Sequence, residues 1–289
     1  MAAVAYYIAL PFIYLISLLP FRLLYIVSDF FYFLIFIIIG YRKKVVYENL
    51  KNSFPEKSDK EIDQIARKFY QYFCDLTLET LKTLTISKKA VRKHVKFEDM
   101  NLFEKYAKAN QSIIIVMGHL GNWELGGARV AVEDYHQLYV IYHPLSNKHF
   151  NNLIVHMRTR LGNKLYSMNE TLRGMVRDRK DLTATAFIAD QTPQPNNAYW
   201  TTFLNQDTPI FTGTEKIAQK FKYPVVYVSI LRPKRGLYEM KAELLVEKPE
   251  ETAENEISEL HTKRLERDIV AHPHIWLWTH RRWKHKRNN

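Results

Sequence analysis

Two long apolar runs open the chain, and shorter apolar runs recur through its middle between amphipathic stretches. Residues 2 to 19 carry no charge, and residues 23 to 39 form a second run interrupted only by Asp29, with Pro20 and Arg22 between the two. Each is at the short limit for crossing about 30 Å of hydrocarbon. A single crossing, a re-entrant hairpin and an interfacial placement are therefore all compatible with it, and a pair of buried helices in a soluble core is the alternative. A secretory signal would need a basic start and a small-residue cleavage site, and neither is present. The segment reads as a retained membrane anchor over residues 1–40, followed by one domain over 41–289. Arg42, Lys43 and Lys44 come directly after the second run, and the bias of positive residues toward the cytoplasm places the remainder of the chain inside.

Beyond the anchor, Ser58-Asp59-Lys60-Glu61 is a capping-box pattern, and Ile62, Ile65, Phe69, Phe73, Leu76 and Thr80 recur at helical spacing. This predicts a helix with one buried face. Residues 111–117 are apolar and β-branched and end at Gly118, as a strand buried on both faces would. Residues 138–142, 183–188 and 225–230 are runs of the same kind, and residues 238–246 alternate as an edge strand would. Helical character lies between them, over 124–133, 146–161, 171–179 and 214–221, and again over 254–271 before Pro273. Buried strands alternating with helices imply an α/β fold, an αβα sandwich around a largely parallel or mixed sheet.

Charge sharpens the picture. Forty-two Lys and Arg against 30 Asp and Glu give a net charge of +12, and 13% of residues are aromatic, which suggests an anionic partner. Nucleic acid and an anionic membrane surface attract such a chain alike, and the anchor decides for the membrane. Cys74 is the single cysteine, so no internal disulfide or Cys-based zinc cluster can form within one chain. It sits in a helix-like stretch and reads as a small packing residue.

The candidate chemistry is Gly118-His119-Leu120-Gly121-Asn122-Trp123-Glu124, placed where the first buried strand ends and a helix begins. Ligands of parallel α/β sheets bind outside the carboxyl ends of strands. Residues five apart on a regular helix point about 140° apart, so His119 and Glu124 can meet only through a bend, which Gly118 and Gly121 permit. A carboxylate beside one imidazole nitrogen favours the imidazolium that forms when the other takes a hydroxyl proton. With no protein nucleophile in the motif, that hydroxyl can belong to a second substrate, and the reaction is direct group transfer.

This motif resembles the His-x4-Asp/Glu signature of glycerolipid and lipid A acyltransferases, and its Gly-His-x-Gly-Asn-Trp-Glu form is close to that of the lipid A late acyltransferases. Arg42 with Glu48-Asn49-Leu50 and Phe54-Pro55 is similar to that family's segment after the anchor. Tyr142-His143-Pro144 with Arg158, then Ala189-Asp190-Gln191, then Thr212-Gly213 through Ala218 with Pro224, follow in the family's order. His272-Pro273 and residues 276–283 resemble its closing segment, so the likeness spans essentially the whole chain. His143 stands where Arg or Lys is frequent, Asn205 where Gly is usual, and the Glu-Gly-Thr block of the glycerol-3-phosphate branch is absent.

The resemblance implies transfer of a fatty acyl group from acyl carrier protein to a hydroxyl of a lipid A precursor, at the cytoplasmic side of a bacterial inner membrane, without a cofactor or metal. His119 would be the general base and Glu124 its partner. Asn122 or nearby backbone N–H groups would hold the oxyanion, Arg158 would grip a phosphate or stabilise charge, and Asp190, beside Gln191, would orient Arg158 or cap a turn. The alternatives are an acyltransferase acting on another glycolipid or an amino lipid, and a non-catalytic lipid-binding protein. His272, His274, His280 and His285 lack acidic or Cys neighbours at ligand spacing and do not suggest zinc. The tail from Arg281 to Arg287 mixes bases and aromatics as a nucleic-acid patch would, but beside an anchor it points to lipid phosphate or the carrier protein and not to nucleic acid.

Overall fold

A computed structural model describes residues 2–195 and 198–287. The helices are α1 (Ala2–Leu18), α2 (Phe21–Tyr32, continued by a π-helical segment, Phe33–Ile39), α3 (Lys43–Ser53), α4 (Asp59–Lys82), α5 (Lys88–His94), α6 (Asn101–Lys108), α7 (Trp123–Ala131), α8 (Lys148–Thr159), α9 (Thr171–Arg177), α10 (Gly213–Phe221) and α11 (Glu256–Ala271). The strands are β1 (Val95–Phe97), β2 (Ile113–Met117), β3 (Gln137–Tyr142), β4 (Lys164–Ser167), β5 (Thr183–Ile188), β6 (Tyr199–Phe203), β7 (Gln206–Ile210), β8 (Val225–Lys234) and β9 (Leu237–Val246).

Among the described residues, seven strands form one sheet in the order β1-β9-β8-β2-β5-β3-β4, and β6 and β7 make a separate antiparallel hairpin. The β8, β2, β5, β3 and β4 ladders are parallel, while β9 runs against β8. The fold is thus the α/β sandwich with a mostly parallel sheet that the buried runs predict. β9 is not the edge: β1 pairs with its first residues, Val95 opposite Tyr238, and takes that place. Along β2, Ile113 and Ile115 join one core layer with Leu125 of α7, and Ile114 and Val116 join the other with Leu265 and Ile269 of α11. That alternation explains why the run is continuously apolar, since both sheet faces are covered by helices.

The predicted capping box starts α4: Ser58 Oγ accepts from the Glu61 N–H, and the Glu61 carboxylate accepts from the Ser58 N–H at 2.9 Å. The helix is not buried on one face alone. From Phe69 onward it also buries Tyr70, Tyr72, Cys74, Asp75 and Glu79, because α1 and α2 pack on the flank that would otherwise meet water. Cys74 is a packing residue there, and burial pushes its thiol up to about 12.

The two apolar helices are two-sided. Tyr6, Leu10 and Ile13 of α1 pack on Leu153 and Met157 of α8, while Val4, Ile8, Phe12 and Leu15 stay exposed. Lys82 closes the end of α1, donating to the carbonyls of Ser17 and Leu19 at 2.7 Å each. Phe21–Ile39 is long and apolar enough to cross a membrane. Its outer side is Leu23, Ile26, Phe30, Phe33 and Ile37, and its inner side carries Tyr25 and Ser28 against α4.

Candidate active site

β2 and β5 are neighbours in the sheet, with Met117 opposite Ile188, so the residues just past their carboxyl ends converge. His119 follows β2 and Asp190 follows β5. The His119 backbone N–H donates to Asp190 Oδ2 at 2.8 Å, and its ring Nδ1 lies 2.6 Å from Asp190 Oδ1. Gly118 permits this approach, since a Cβ there would stand 3.2 Å from Asp190 Oδ2 and 2.5 Å from the Leu265 side chain. The Trp276 indole N–H donates to the same Oδ2 at 2.8 Å. Asp190 is buried, and burial alone would raise its pKa; the His119 charge and these hydrogen bonds prevail and hold the carboxyl at about 2. A carboxylate so placed assigns the Nδ1–H tautomer and leaves Nε2 as the basic edge.

The partner of the imidazole is therefore Asp190 and not Glu124; Asp190 does not orient Arg158, while its Oδ2 holds the backbone N–H of the bend after β2. Glu124 instead takes Arg158, which donates from Nε to both carboxylate oxygens, at 3.1 and 3.0 Å, and from Nη2 to Oε1. The fork engages by one edge, and Nη1 lies outside the pair. Burial opposes the Arg158 charge, but Glu124 outweighs it and raises the pKa further.

Asn122 does not face the site. It is fully buried, its Oδ1 caps α7 by accepting from the Leu125 N–H at 2.9 Å, and its Nδ2 donates to Glu79 at 2.7 Å. With both polar ends committed, it is not available to an oxyanion. Gln191 does approach the imidazole, its Nε2 lying 3.4 Å from His119 Nε2. The Trp123 ring meets His119 edge-on, with centroids 4.8 Å apart.

The loop between His119 and α7 is clasped from outside. Gly121 has φ +64, and a Cβ there would fall 2.0 Å from the Ile230 carbonyl oxygen, so only glycine fits. Its N–H donates to the Ile275 carbonyl at 2.9 Å, and its carbonyl accepts from the Tyr72 hydroxyl at 2.6 Å. The closing segment is held in turn by the segment after the anchor. Arg42 donates to the Thr279 carbonyl at 3.0 Å, and Asn49 donates to the carbonyls of Trp278 and His280 at 2.9 and 3.0 Å. Trp276, Trp278 and Arg282 are buried and support the site, while Arg281, Lys284, Lys286 and Arg287 of the same tail stay exposed. Asn205 adopts φ +61 in the β6–β7 turn, a left-handed position that Asn tolerates where Gly is usual.

His119, Glu124, Arg158 and Gln191 line one cavity of about 480 Å³. From the carboxyl ends of the strands it runs inward between α7 and the sheet, past Ile115, Val228 and Met240 to Leu138 and Val130, all buried. His143 and Leu145 line its exposed end. The arrangement can hold an apolar chain by its inner part while an imidazole and a guanidinium face whatever the chain is attached to.

The model of the family of bacterial lipid A biosynthesis acyltransferases matches residues 2–285. The chain belongs to that family. A lipid A biosynthesis palmitoleoyltransferase of Escherichia coli (strain K12) is 23% identical over 249 residues, covering 84% of this chain and 79% of the relative. A lipid A biosynthesis acyltransferase of Shigella flexneri is similar to the same extent, 23% over 249 residues. As a lipid A acyltransferase family member, the protein is an enzyme that transfers acyl groups in lipid A biosynthesis.

Proposed function

We propose that the protein transfers a fatty acyl group from acyl carrier protein to a hydroxyl of a lipid A precursor, at the cytoplasmic face of a bacterial inner membrane, with His119 as general base. The observation that carries this reading is an imidazole whose Nδ1 is bound to a buried carboxylate, on the wall of a cavity lined mostly by apolar side chains. His119 Nε2 takes the acceptor hydroxyl proton as the oxygen attacks the thioester carbonyl. The tetrahedral intermediate then expels the phosphopantetheine thiolate, which recovers the proton from the imidazolium. Asp190 stabilises that imidazolium and fixes the ring. A thioester brings its own good leaving group, so a base, alignment and charge stabilisation suffice.

Glu124 holds Arg158 by one edge of its fork on the cavity wall, where the guanidinium meets an acceptor phosphate or the developing oxyanion. The net charge of +12 suits an acidic carrier protein and anionic lipid. Membrane attachment is supported by the exposed apolar sides of α1 and α2, and the inner sides packed on α4 and α8 favour a hairpin lying in the interface over one standing across the bilayer. Arg42, Lys43 and Lys44 after it support the cytoplasmic side.

The test is mass spectrometry of lipid A from cells lacking the gene. Loss of one acyl chain, restored by the wild type and not by His119→Ala, is expected. An unchanged acyl count would assign the enzyme another glycolipid or an amino lipid, and undiminished turnover by purified His119→Ala would remove the mechanism.

A further inference from the structure

The inner side of α2 is polar in a helix otherwise suited to lipid. Tyr25, Ser28 and Asp29 lie at positions i, i+3 and i+4, hence on one face, and each finds a partner in the catalytic domain. Ser28 donates to Asp75 at 2.6 Å, and Asp29 receives Arg235 at 2.7 Å, which also binds Asp75 and the Tyr25 carbonyl. Arg235 and Gly236 form the β8–β9 turn, where Gly236 has φ +77 and a Cβ would lie 2.3 Å from the Tyr25 hydroxyl. The turn is fitted to the anchor helix.

The chain of contacts continues inward to Glu79, which is fully buried. Its Oε1 accepts from the Tyr25 hydroxyl at 2.7 Å, and its Oε2 accepts from the Tyr238 hydroxyl at 2.6 Å and from Asn122 Nδ2 at 2.7 Å. Asn122 is the cap of α7, whose first turn carries Trp123 against His119 and Glu124 on Arg158. We propose that Glu79 is a positioning residue that couples the seating of the anchor hairpin to the geometry of the active-site loop, with Tyr25 as the anchor's contact and Asn122 as the site's.

This rests on the reading of His119, Glu124 and Arg158 as the acyl-transfer site. Its physical basis is that one buried carboxylate gathers donors from three elements, and in such a network the loss of one donor weakens the others. Burial raises the Glu79 pKa above the usual carboxylate value, and Arg232 and the three donors offset that only in part. When α2 is drawn away from α4, Tyr25 leaves Glu79 and the Asn122 cap loses its fixed partner. The enzyme is then fully assembled only while its hairpin is held in the interface.

The test uses the full-length protein in phospholipid vesicles, assayed with acyl carrier protein thioester and a lipid A precursor. Asn122→Asp sets two carboxylates face to face, whereas combining it with Glu79→Gln restores the hydrogen bond with its polarity reversed and leaves a second Asp oxygen for the cap. Asn122→Asp is expected to lower kcat about tenfold with KM little changed, and the pair to return to within about threefold of wild type, as coupled neighbours do. Tyr25→Phe, which deletes one hydroxyl at a partly exposed position, is expected to lower kcat about threefold with vesicle binding unchanged. Wild-type kcat in Tyr25→Phe, or a pair no better than Asn122→Asp alone, overturns the coupling. If Asn122→Asp fails to fold, Tyr25→Phe decides. His119→Ala in the same assay keeps the two claims apart: inactivity there beside a wild-type Tyr25→Phe sinks the coupling only, and retained turnover sinks the site.

Discussion

Asp190 and Glu124 are both carboxylates at the carboxyl ends of the sheet's strands, yet they are set to different work. Asp190 stands at the end of a strand, sealed by Trp276, and among the described residues its one ion-pair contact is an imidazole. Glu124 stands on the first turn of a helix, on the cavity wall, and is occupied by a guanidinium. In the proposed mechanism the first pair changes protonation during the reaction, and the second keeps both charges beside the substrate. One motif of five-residue spacing therefore feeds two pairs, each completed by a residue from another part of the chain.

Asp190→Asn separates the pairs most widely. An amide leaves the ring without its anionic partner, and kcat is expected to fall about 10³-fold or more with little change in KM, read from steady-state acyl transfer. Arg158→Lys keeps the charge and loses the fork; a loss of about 100-fold in kcat/KM, carried mainly by KM for the phosphorylated acceptor, is expected. A purely kcat defect there would assign Arg158 to the transition state alone.

The smallest effect is on stability. The Asp190 carboxyl is depressed from 3.8 to about 2 on folding, so its contribution is complete above the unfolded value and disappears as pH falls from 4 toward 2. Over that window the wild type is expected to lose about 2 kcal/mol more than Asp190→Asn, measured by urea unfolding. Equal losses would mean that Asp190 is not held as an anion by its surroundings.

The sequence makes β2, β3, β5 and β8 legible because strands covered on both faces must be continuously apolar. The three- and four-residue edges β1 and β4 and the β6–β7 hairpin carry no such run, and the sheet order follows from no local pattern. His119 stands out by its motif, but its partner lies 71 residues on, and the spacing to Glu124 is the nearer cue. The available signal was topological: Asp190 immediately follows a buried strand, and two neighbouring strands bring their ends together. Asp29 reads as a blemish in an apolar run until Arg235 is seen against it. Trp276, Glu79 and Arg282 are long-range supports whose roles appear only when the chain is folded.

The imidazole of His119 is bound through Nδ1–H to Asp190. Proton and ¹⁵N NMR of selectively labelled histidine in the full-length protein tests it directly. A strongly deshielded Nδ1 proton on His119 is expected, persisting in Glu124→Gln and lost in Asp190→Asn. The reverse, loss with Glu124→Gln and persistence with Asp190→Asn, would contradict the account.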